Sequence, residues 1–426
     1  MKDSTATLTK AQGVGRSDWE RETTSRTGAG AVDDPYPKFA ALRKNGPIHR
    51  GSTFEIFGVP DPTRDVWPDA HRFTIISFAE AEQVLRDAET FSNAGIRRMT
   101  EYVFGPVSLM GSDDPEHRQY RLLVQPAFAR KSLSMWSQFV RPRLDELIDS
   151  FIAKGRGDIY FDYCAQFPVY VIGMALGVKR EDLEQFHEWA AKLQVAAAPP
   201  DEARAAREAV HRYMLDIVNE RRRAPRENDL ITLLVQSEID EGEGPRKLSD
   251  EQILGLISNL LPAGAGTTYR SLGITLVTLL ERPALLAQVR EDRTLVPVVI
   301  EEVLRWNGPV LVAPPRLATR DTEIAGVAVP KDSIVECCIA AANRDPAQFE
   351  NPDVFDPFRP QKPTLSFSTG PHFCVGSQVA RMELVTALNA LLDRLPDLRF
   401  DPDQPQPTLT GLWYRMPTGV PAIWTP

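Results

Sequence analysis

Residues 367–376 read Phe-Ser-Thr-Gly-Pro-His-Phe-Cys-Val-Gly, and Cys374 in this run is the side chain with the most chemistry to offer. A Gly-Pro turn precedes it. Apolar residues at near-helical spacing follow it: Val379, Met382, Leu384, Leu388, Leu391 and Leu395. A thiol at a helix N-terminus faces backbone N–H groups and the positive end of the dipole, which favour thiolate. Thiolate is the form that binds iron or attacks carbon. The residues alone leave three readings open: an inert core thiol, a nucleophile and a metal ligand. A nucleophile wants a base, and the six histidines (His49, His71, His117, His187, His211, His372) form no motif that supplies one. They also show no HExxH and no paired zinc spacing. The other cysteines, Cys164, Cys337 and Cys338, make no CxxC pair and read as core fillers in a reducing cytoplasm.

A second constellation lies inside a helix. Ser249 can cap it, Gln252 completes a capping box, and Leu248 with Ile253 can form a hydrophobic staple. Pro283 marks its end, so the span is roughly 30 residues, or ~45 Å. Its apolar residues wrap all the way round, as in a helix that runs through an interior. Its middle breaks the rules for helices: Pro262-Ala263-Gly264-Ala265-Gly266-Thr267-Thr268. Proline removes a ladder bond, and each glycine costs ~1 kcal/mol relative to alanine. Two readings remain: a kink or widened turn that serves a site, or tight packing against a neighbouring helix. A phosphate loop is the poorer reading, because no lysine follows the glycines and the segment does not open a helix.

The elements that must hold these residues are mostly helical. Helical patterns cover 79–87, 117–127, 134–153, 165–176, 181–194, 201–223 and 229–238. Phe54–Phe57 and Phe73–Ile76 read as short strands, as do Glu323–Val329 and Ser333–Cys338, and a hairpin is expected in the Pro-rich tail after Pro405. No linker or internal repeat divides the chain. The expectation is a flexible tail, 1–32, and one domain, 33–426: a mainly α fold with a smaller β-rich lobe and a long broken central helix. Of 426 residues, 42% are hydrophobic and 25% charged, and the net charge is −9. An acidic chain argues against nucleic acid as a partner. No run of about 18 apolar residues predicts a membrane span, so a cytoplasmic protein is expected.

The Cys374 run resembles the cysteine loop of the cytochrome P-450 family, Phe-Gly-x-Gly-x-His/Arg-x-Cys-x-Gly. Phe367, Gly370, His372, Cys374 and Gly376 match, while Ser368 replaces the first glycine. Three further matches follow the family's order. Glu302-Val303-Leu304-Arg305 is similar to its Glu-x-x-Arg, and Asn351–Arg359 is similar to the meander that supplies a third member, Arg359. Asp114-Pro115-Glu116-His117 with Arg121 resembles the helix that lies against the haem. Ala263, Gly264, Thr267 and Thr268 match the oxygen-binding Ala-Gly-x-Asp/Glu-Thr-Thr, with Gly266 in place of the acid. Ala342-Asn343-Arg344-Asp345 is a further family-like fragment, and the resemblance spans roughly 33–426.

The resemblance implies the cytochrome P-450 fold, haem b as cofactor, and Cys374 as the metal ligand. It implies that His117, Arg121, Arg316 and His372 neutralise two haem propionates, that Phe367, Gly376, Ala263 and Gly264 contact the cofactor, and that Glu302, Arg305 and Arg359 are structural. It assigns the oxygen and proton chemistry to Thr267, Thr268 and position Gly266. The reaction implied is insertion of one oxygen atom from O2 into a hydrophobic terpenoid, steroid, fatty acid or aromatic, by hydroxylation or epoxidation. A separate ferredoxin or flavodoxin with an NAD(P)H-dependent reductase would supply electrons to the basic side near Cys374, and the enzyme is expected as a monomer. The substrate pocket is expected between Leu260, Ala263, Gly264, Val310–Ala313, the Met99–Met110 loop and Trp413. With Gly266 unable to donate, an ordered water chain to Thr267 is one expectation. A peroxide-driven peroxygenase is another. A haem isomerase or dehydratase of the same fold and a haem sensor or carrier are the remaining alternatives.

Overall fold

The computed structural model describes residues 32–193, 199–240, 242 and 244–426, with the side chains of Met99 and Tyr102 left out. The expected tail, 1–32, therefore lies outside the described residues except for Val32. The Val32 carbonyl accepts from the Gly411 amide at 3.2 Å.

Nine helices matter for the site: α1 (Ala94–Phe104), α2 (Glu116–Phe128), α3 (Leu133–Phe151), α4 (Phe167–Ala175), α5 (Leu183–Lys192), α6 (Pro200–Arg223), α7 (Asp250–Leu280), α8 (Leu295–Asn307) and α9 (Ser377–Arg394). α7 is the axis. α4, α6, α8 and α9 all pack on it, and α3 lies against α4 and α9. One apolar core runs through all of them. The start of α7 forms as its sequence requires: the Ser249 hydroxyl accepts from the Gln252 amide, and the Gln252 side chain closes the box. Leu248 and Ile253 are both buried beside it.

The interruption expected in α7 is not a break. The helix is continuous through all 31 residues, with Pro262 inside it. Hydroxyl and guanidinium groups hold its weak turn from within. Thr267 Oγ1 donates to the Ala263 carbonyl (3.2 Å), Thr268 Oγ1 to Gly264 (3.0 Å), Arg270 Nη1 to Gly266 (3.0 Å) and Ser271 Oγ to Thr267 (2.8 Å). Each bond falls on the carbonyl four residues back, and the surrounding helices clamp the rest.

The β-rich lobe is a five-stranded sheet built from β1 (Ile48–Arg50), β2 (Arg72–Ile75), β3 (Phe91–Ser92), β4 (Arg316–Ala318) and β5 (Ile334–Cys337), ordered β1-β2-β5-β4-β3. Only β2 and β5 run parallel, with Ile334 opposite Arg72; the other pairs are antiparallel. Pairing of Val335 with Arg316 fixes where the Arg316 backbone sits. A C-terminal hairpin joins β6 (Leu409–Thr410) to β7 (Met416–Pro417), and β7 packs on α7.

One expected strand is a helix. Phe54–Phe57 lies in the helix Thr53–Phe57. Ser52 accepts from the Glu55 amide, the Glu55 carboxylate accepts from the Ser52 amide, and Gly58 ends the turn in the left-handed region. Those capping signals outweigh the strand preference of Phe54, Ile56 and Phe57. No single helix among the described residues is long and apolar enough to cross a membrane.

Candidate functional site

The Cys374 loop is tied down on three sides. Its own closure is the Cys374 amide donating to the Phe367 carbonyl at 2.9 Å. Toward α8, the Ser366 hydroxyl donates to the Leu304 carbonyl (2.9 Å), and Asn343 bonds both Ser366 and the Leu365 amide. On the third side Gly370, at φ +73°, sits against Leu85 and Arg86. A Cβ there would fall 2.6 Å from the Leu85 carbonyl oxygen and 2.9 Å from the Arg86 Cα. No residue but glycine fits. Ser368, where the family pattern carries glycine, takes the same left-handed backbone at φ +61°. Its hydroxyl is buried with no hydrogen-bond partner.

The sulfur is half-buried at the N-terminus of α9. The backbone amides of Gly376 and Ser377 bond it, and Arg121 and Arg381 favour its anion. Burial nevertheless dominates and raises the thiol above its ordinary pKa. The expected preference for free thiolate is thus corrected. Desolvation outweighs the dipole in the bare protein, and a cation at the sulfur would favour the thiolate. Cys337 and Cys338 are buried, and their thiols are pushed up as well, Cys337 to about 12.

Around this loop the chain assembles basic side chains. The rings of His117 and His372 stack with centroids 3.9 Å apart. Arg121 donates to the Phe373 carbonyl (2.7 Å), and buried Arg316 donates to the Pro314 carbonyl (2.7 Å). Burial, then His117, Arg316 and Arg121, hold His372 down to about 2, and burial holds His117 down too. In the bare chain, burial and the neighbouring guanidiniums disfavour charge on the two imidazoles, so the two arginines are the standing positive groups of this cluster. Among the described residues the carboxylate in contact with the cluster is Asp114, 3.4 Å from His117 Nδ1, Asp113 acts on His117 and Arg316 from further off, and Nε2 of the His117 ring is buried without a partner.

Glu302, Arg305 and Arg359 form the opposite kind of group. Arg305 bonds both oxygens of Glu302 at 2.7 Å, and Arg359 Nε bonds Oε1 at 3.0 Å. Glu302 and Arg305 are only 3% and 2% exposed, which rules out the surface-pair reading of their spacing. Arg305 also donates to the carbonyls of Asn343 and Pro352. Through Asn343 this network holds the Cys374 loop.

On α7 the middle turn stands out. Ala263 and Gly264 are exposed and Thr267 is half-buried, although Leu260–Pro262, Ala265 and Gly266 around them are buried. A Cβ on Gly264 would meet only Ile172 Cδ1, at 3.4 Å. Helix packing therefore does not explain that glycine. Asn259, one turn earlier, accepts from the Leu109 amide (3.0 Å) and donates to the Val107 carbonyl (2.8 Å), which ties the 107–109 loop to α7. Of the expected pocket lining, Val310 and Trp413 are half-buried, with Leu311 N donating to the Trp413 carbonyl at 3.0 Å. Leu260, Leu311, Val312 and Ala313 are packed into the cores, and the side chain of Met99 lies outside the described residues.

Sequence reasoning missed Glu383. It lies on α9, 4% exposed, and meets Thr268. Burial pushes its carboxyl up to about 8, opposed only by the Thr268 hydrogen bond. The signal was present: Val379, Glu383 and Ala387 fall four residues apart, which sets an acid on an apolar stripe.

A family model described as "Cytochrome P450" (here cytochrome P-450) matches residues 199–414. The chain is 32% identical to the P-450 monooxygenase PikC of Streptomyces venezuelae, covering 89% of each. It is 34% identical to nocardicin C N-oxygenase of Nocardia uniformis, covering 92% of this chain and 96% of that one. The structure of CYP109E1 from Bacillus megaterium in complex with testosterone superposes with TM-score 0.78 at 26% identity, over 92% of this chain and all (100%) of that one. The cofactor of this family is haem b, an iron porphyrin with two carboxylates. The residues present fit it: a hydrogen-bonded thiol, two guanidiniums without close carboxylates, an orphaned buried imidazole nitrogen, and an accessible Ala-Gly strip for a flat apolar face.

Proposed function

This chain belongs to the cytochrome P-450 family of oxygen-incorporating oxidoreductases, and on that premise we propose that residues 33–426 act as one catalytic domain with Cys374 as the iron ligand of haem b. The observation that carries the reading is the Cys374 loop itself, a half-buried thiol hydrogen-bonded by two backbone amides beside basic side chains that have almost no acid of their own. When bound, haem supplies the dioxygen chemistry: one oxygen atom enters a C–H or C=C bond of the substrate, and the other leaves as water with two externally supplied electrons.

The protein's residues do the rest. Arg121, Arg316, His117 and His372 bind the propionates by charge-assisted and neutral hydrogen bonds. Phe367 and Gly376 bracket the sulfur. Ala263 and Gly264 let the ligand plane approach α7, with Gly266 and Thr268 behind them. The Thr267 hydroxyl, half-buried beside the accessible strip, holds a proton there. Apolar surroundings at Val310 and Trp413 favour a hydrophobic substrate, and the steroid held by CYP109E1 makes steroids the first class to try. The electron donor is an acidic ferredoxin or flavodoxin. Its docking face is the exposed surface around Arg118, Leu122, Lys131 and Phe373, next to the cysteine loop.

The test is spectroscopic. The reduced, carbon-monoxide-treated protein is expected to show the absorbance of sulfur-ligated haem, and Cys374→Ser to lose it. An unchanged spectrum in that variant would end the proposal. Gly266, which carries no acid, favours a second reading in which peroxide drives turnover. Turnover with hydrogen peroxide but none with a ferredoxin–reductase pair would select it.

A further inference from the structure

The turn that joins β6 to β7 is held by a buried cation. Arg415 is 2% exposed, and a guanidinium carries five N–H groups. Each of them has its own acceptor. Nε donates to Asn307 Oδ1 (3.3 Å), Nη1 to the carbonyls of Val32 (3.3 Å) and Gly411 (3.2 Å), and Nη2 to those of Asp33 (2.6 Å) and Leu409 (3.0 Å). None of these five acceptors is a carboxylate. Three segments far apart in sequence therefore meet at one side chain: Val32 and Asp33, the end of α8, and the turn itself. The Tyr36 hydroxyl adds a tie by donating to the same Asn307 oxygen at 2.9 Å.

Burying a charge costs free energy unless its donors are met, and closing a short hairpin does not require one. What the bracket secures is the residues inside it. Gly411, Leu412 and Arg415 are buried, whereas Trp413 and Tyr414 between them are half-buried. The Arg415 amide donates to the Pro309 carbonyl at 2.8 Å, and Tyr414 bridges Val310, so the bracketed turn and the 309–311 stretch move as one. Trp413 lies edge-on to Phe54 with centroids 6.1 Å apart, and Tyr414 faces the Arg270 guanidinium of α7 at 4.9 Å.

We infer that Arg415 is a positioning residue for ligand choice, acting through Trp413. The bracket fixes the turn, and the turn presents the Trp413 ring to the pocket proposed beside Val310. Lysine cannot replace it, because one ammonium with three donors does not span acceptors on three segments. By the same bonds, Val32 and Asp33 support the pocket wall although they lie far from it in sequence.

This inference rests on the proposed monooxygenase pocket, and the experiment separates the two. Azoles from imidazole, too small to reach the turn, up to clotrimazole are titrated into the holoprotein and followed by absorbance. In Arg415→Lys the affinity for the larger azoles is expected to fall about fivefold, because the ligand must then order a wall that was fixed beforehand. Imidazole affinity is expected to stay as in wild type. Trp413→Ala is expected to show the same selective loss, and Arg415→Lys to add nothing to it, because both act through one ring. In purified protein labelled with 5-fluorotryptophan, the fluorine resonance assigned by its absence in Trp413→Phe is expected to shift or split in Arg415→Lys. Unchanged affinities, equal losses for all azoles, additive losses or an unmoved Trp413 resonance each overturn the inference and leave Arg415 a staple of the fold. If Arg415→Lys does not fold, Asn307→Leu, which removes one acceptor, is read by the same measurements with the same outcomes. A wild type without the sulfur-type carbon-monoxide spectrum fails the monooxygenase reading instead, while the fluorine resonance still tests the bracket.

Discussion

Two groups of arginines flank the Cys374 loop, each with one buried member, Arg305 in one and Arg316 in the other, and they solve opposite problems. Arg305 and Arg359 close on Glu302 with three bonds of 3.0 Å or less, and the spare donors go to backbone carbonyls. Arg316 and Arg121 each find a carbonyl but no close carboxylate, beside an imidazole with an orphaned nitrogen. The first group is complete within the chain. The second is electrostatically incomplete without an anion. Arg305 and Arg316 are alike in burial, 2% and 3% exposed, yet one marks structure and the other binding, and the discriminator is whether the chain supplies the counter-charge.

Removing a member is the most direct way to break the comparison. Arg305→Leu leaves Glu302 buried with only Arg359, and is expected to destabilise the protein by ~3–5 kcal/mol in urea unfolding. Arg316→Leu is expected to leave the unfolding midpoint of the haem-free protein nearly unchanged, because it removes a buried charge that lacks a close acid. An equal loss in both variants would dissolve the distinction.

A third buried acid sharpens it. Glu302 is bonded by two guanidiniums, whereas Glu383 has none, and burial holds its carboxyl up to about 8 from an ordinary 4.5. Between those values the folded chain keeps a proton that the unfolded chain has released. Stability from this group therefore falls as pH rises through that window. Melting temperatures measured from pH 5 to pH 8 are expected to fall less steeply in Glu383→Gln than in wild type. Parallel curves would mean that Glu383 does not carry the proton.

The binding role of the incomplete group has its own measurement. Loss of one charge-assisted bond in Arg316→Leu is expected to speed haem transfer to an acceptor apoprotein by about tenfold. The smallest effect expected is at the loop itself. Ser368→Gly removes a left-handed serine and an unpaired buried hydroxyl, and is expected to stabilise the holoprotein by ~1 kcal/mol. A destabilised variant would show that the Ser368 hydroxyl has a partner in solution.

Much of this arrangement was legible in the chain. Ser249 and Gln252 announced the start of α7, and the i,i+3 spacing of Glu302 and Arg305 announced their pairing. Spacing could not say that this pair was buried, because burial comes from the meander folding over it about 50 residues later. The strand expected at Phe54–Phe57 followed from side-chain preference taken without the Ser52–Glu55 box. The continuity of α7 was hidden because its repair uses tertiary packing and side chains bonding back four residues. Glu383 was legible as an acid on the apolar stripe of Val379 and Ala387, but what it meets there depends on the facing helix, which spacing does not give. The pKa of Cys374 depended on how much water the fold removes, a quantity no local motif contains.

Gly370 has no functional group, touches no proposed ligand, and lies four residues before the sulfur. Yet any added carbon there overlaps the backbone of Leu85 and Arg86, which cannot rotate aside. In a library carrying every amino acid at every position of residues 367–376, scored by retained haem colour, the blank column is therefore expected at two places. One is the cysteine, for its chemistry; the other is this glycine, where the constraint is purely one of volume.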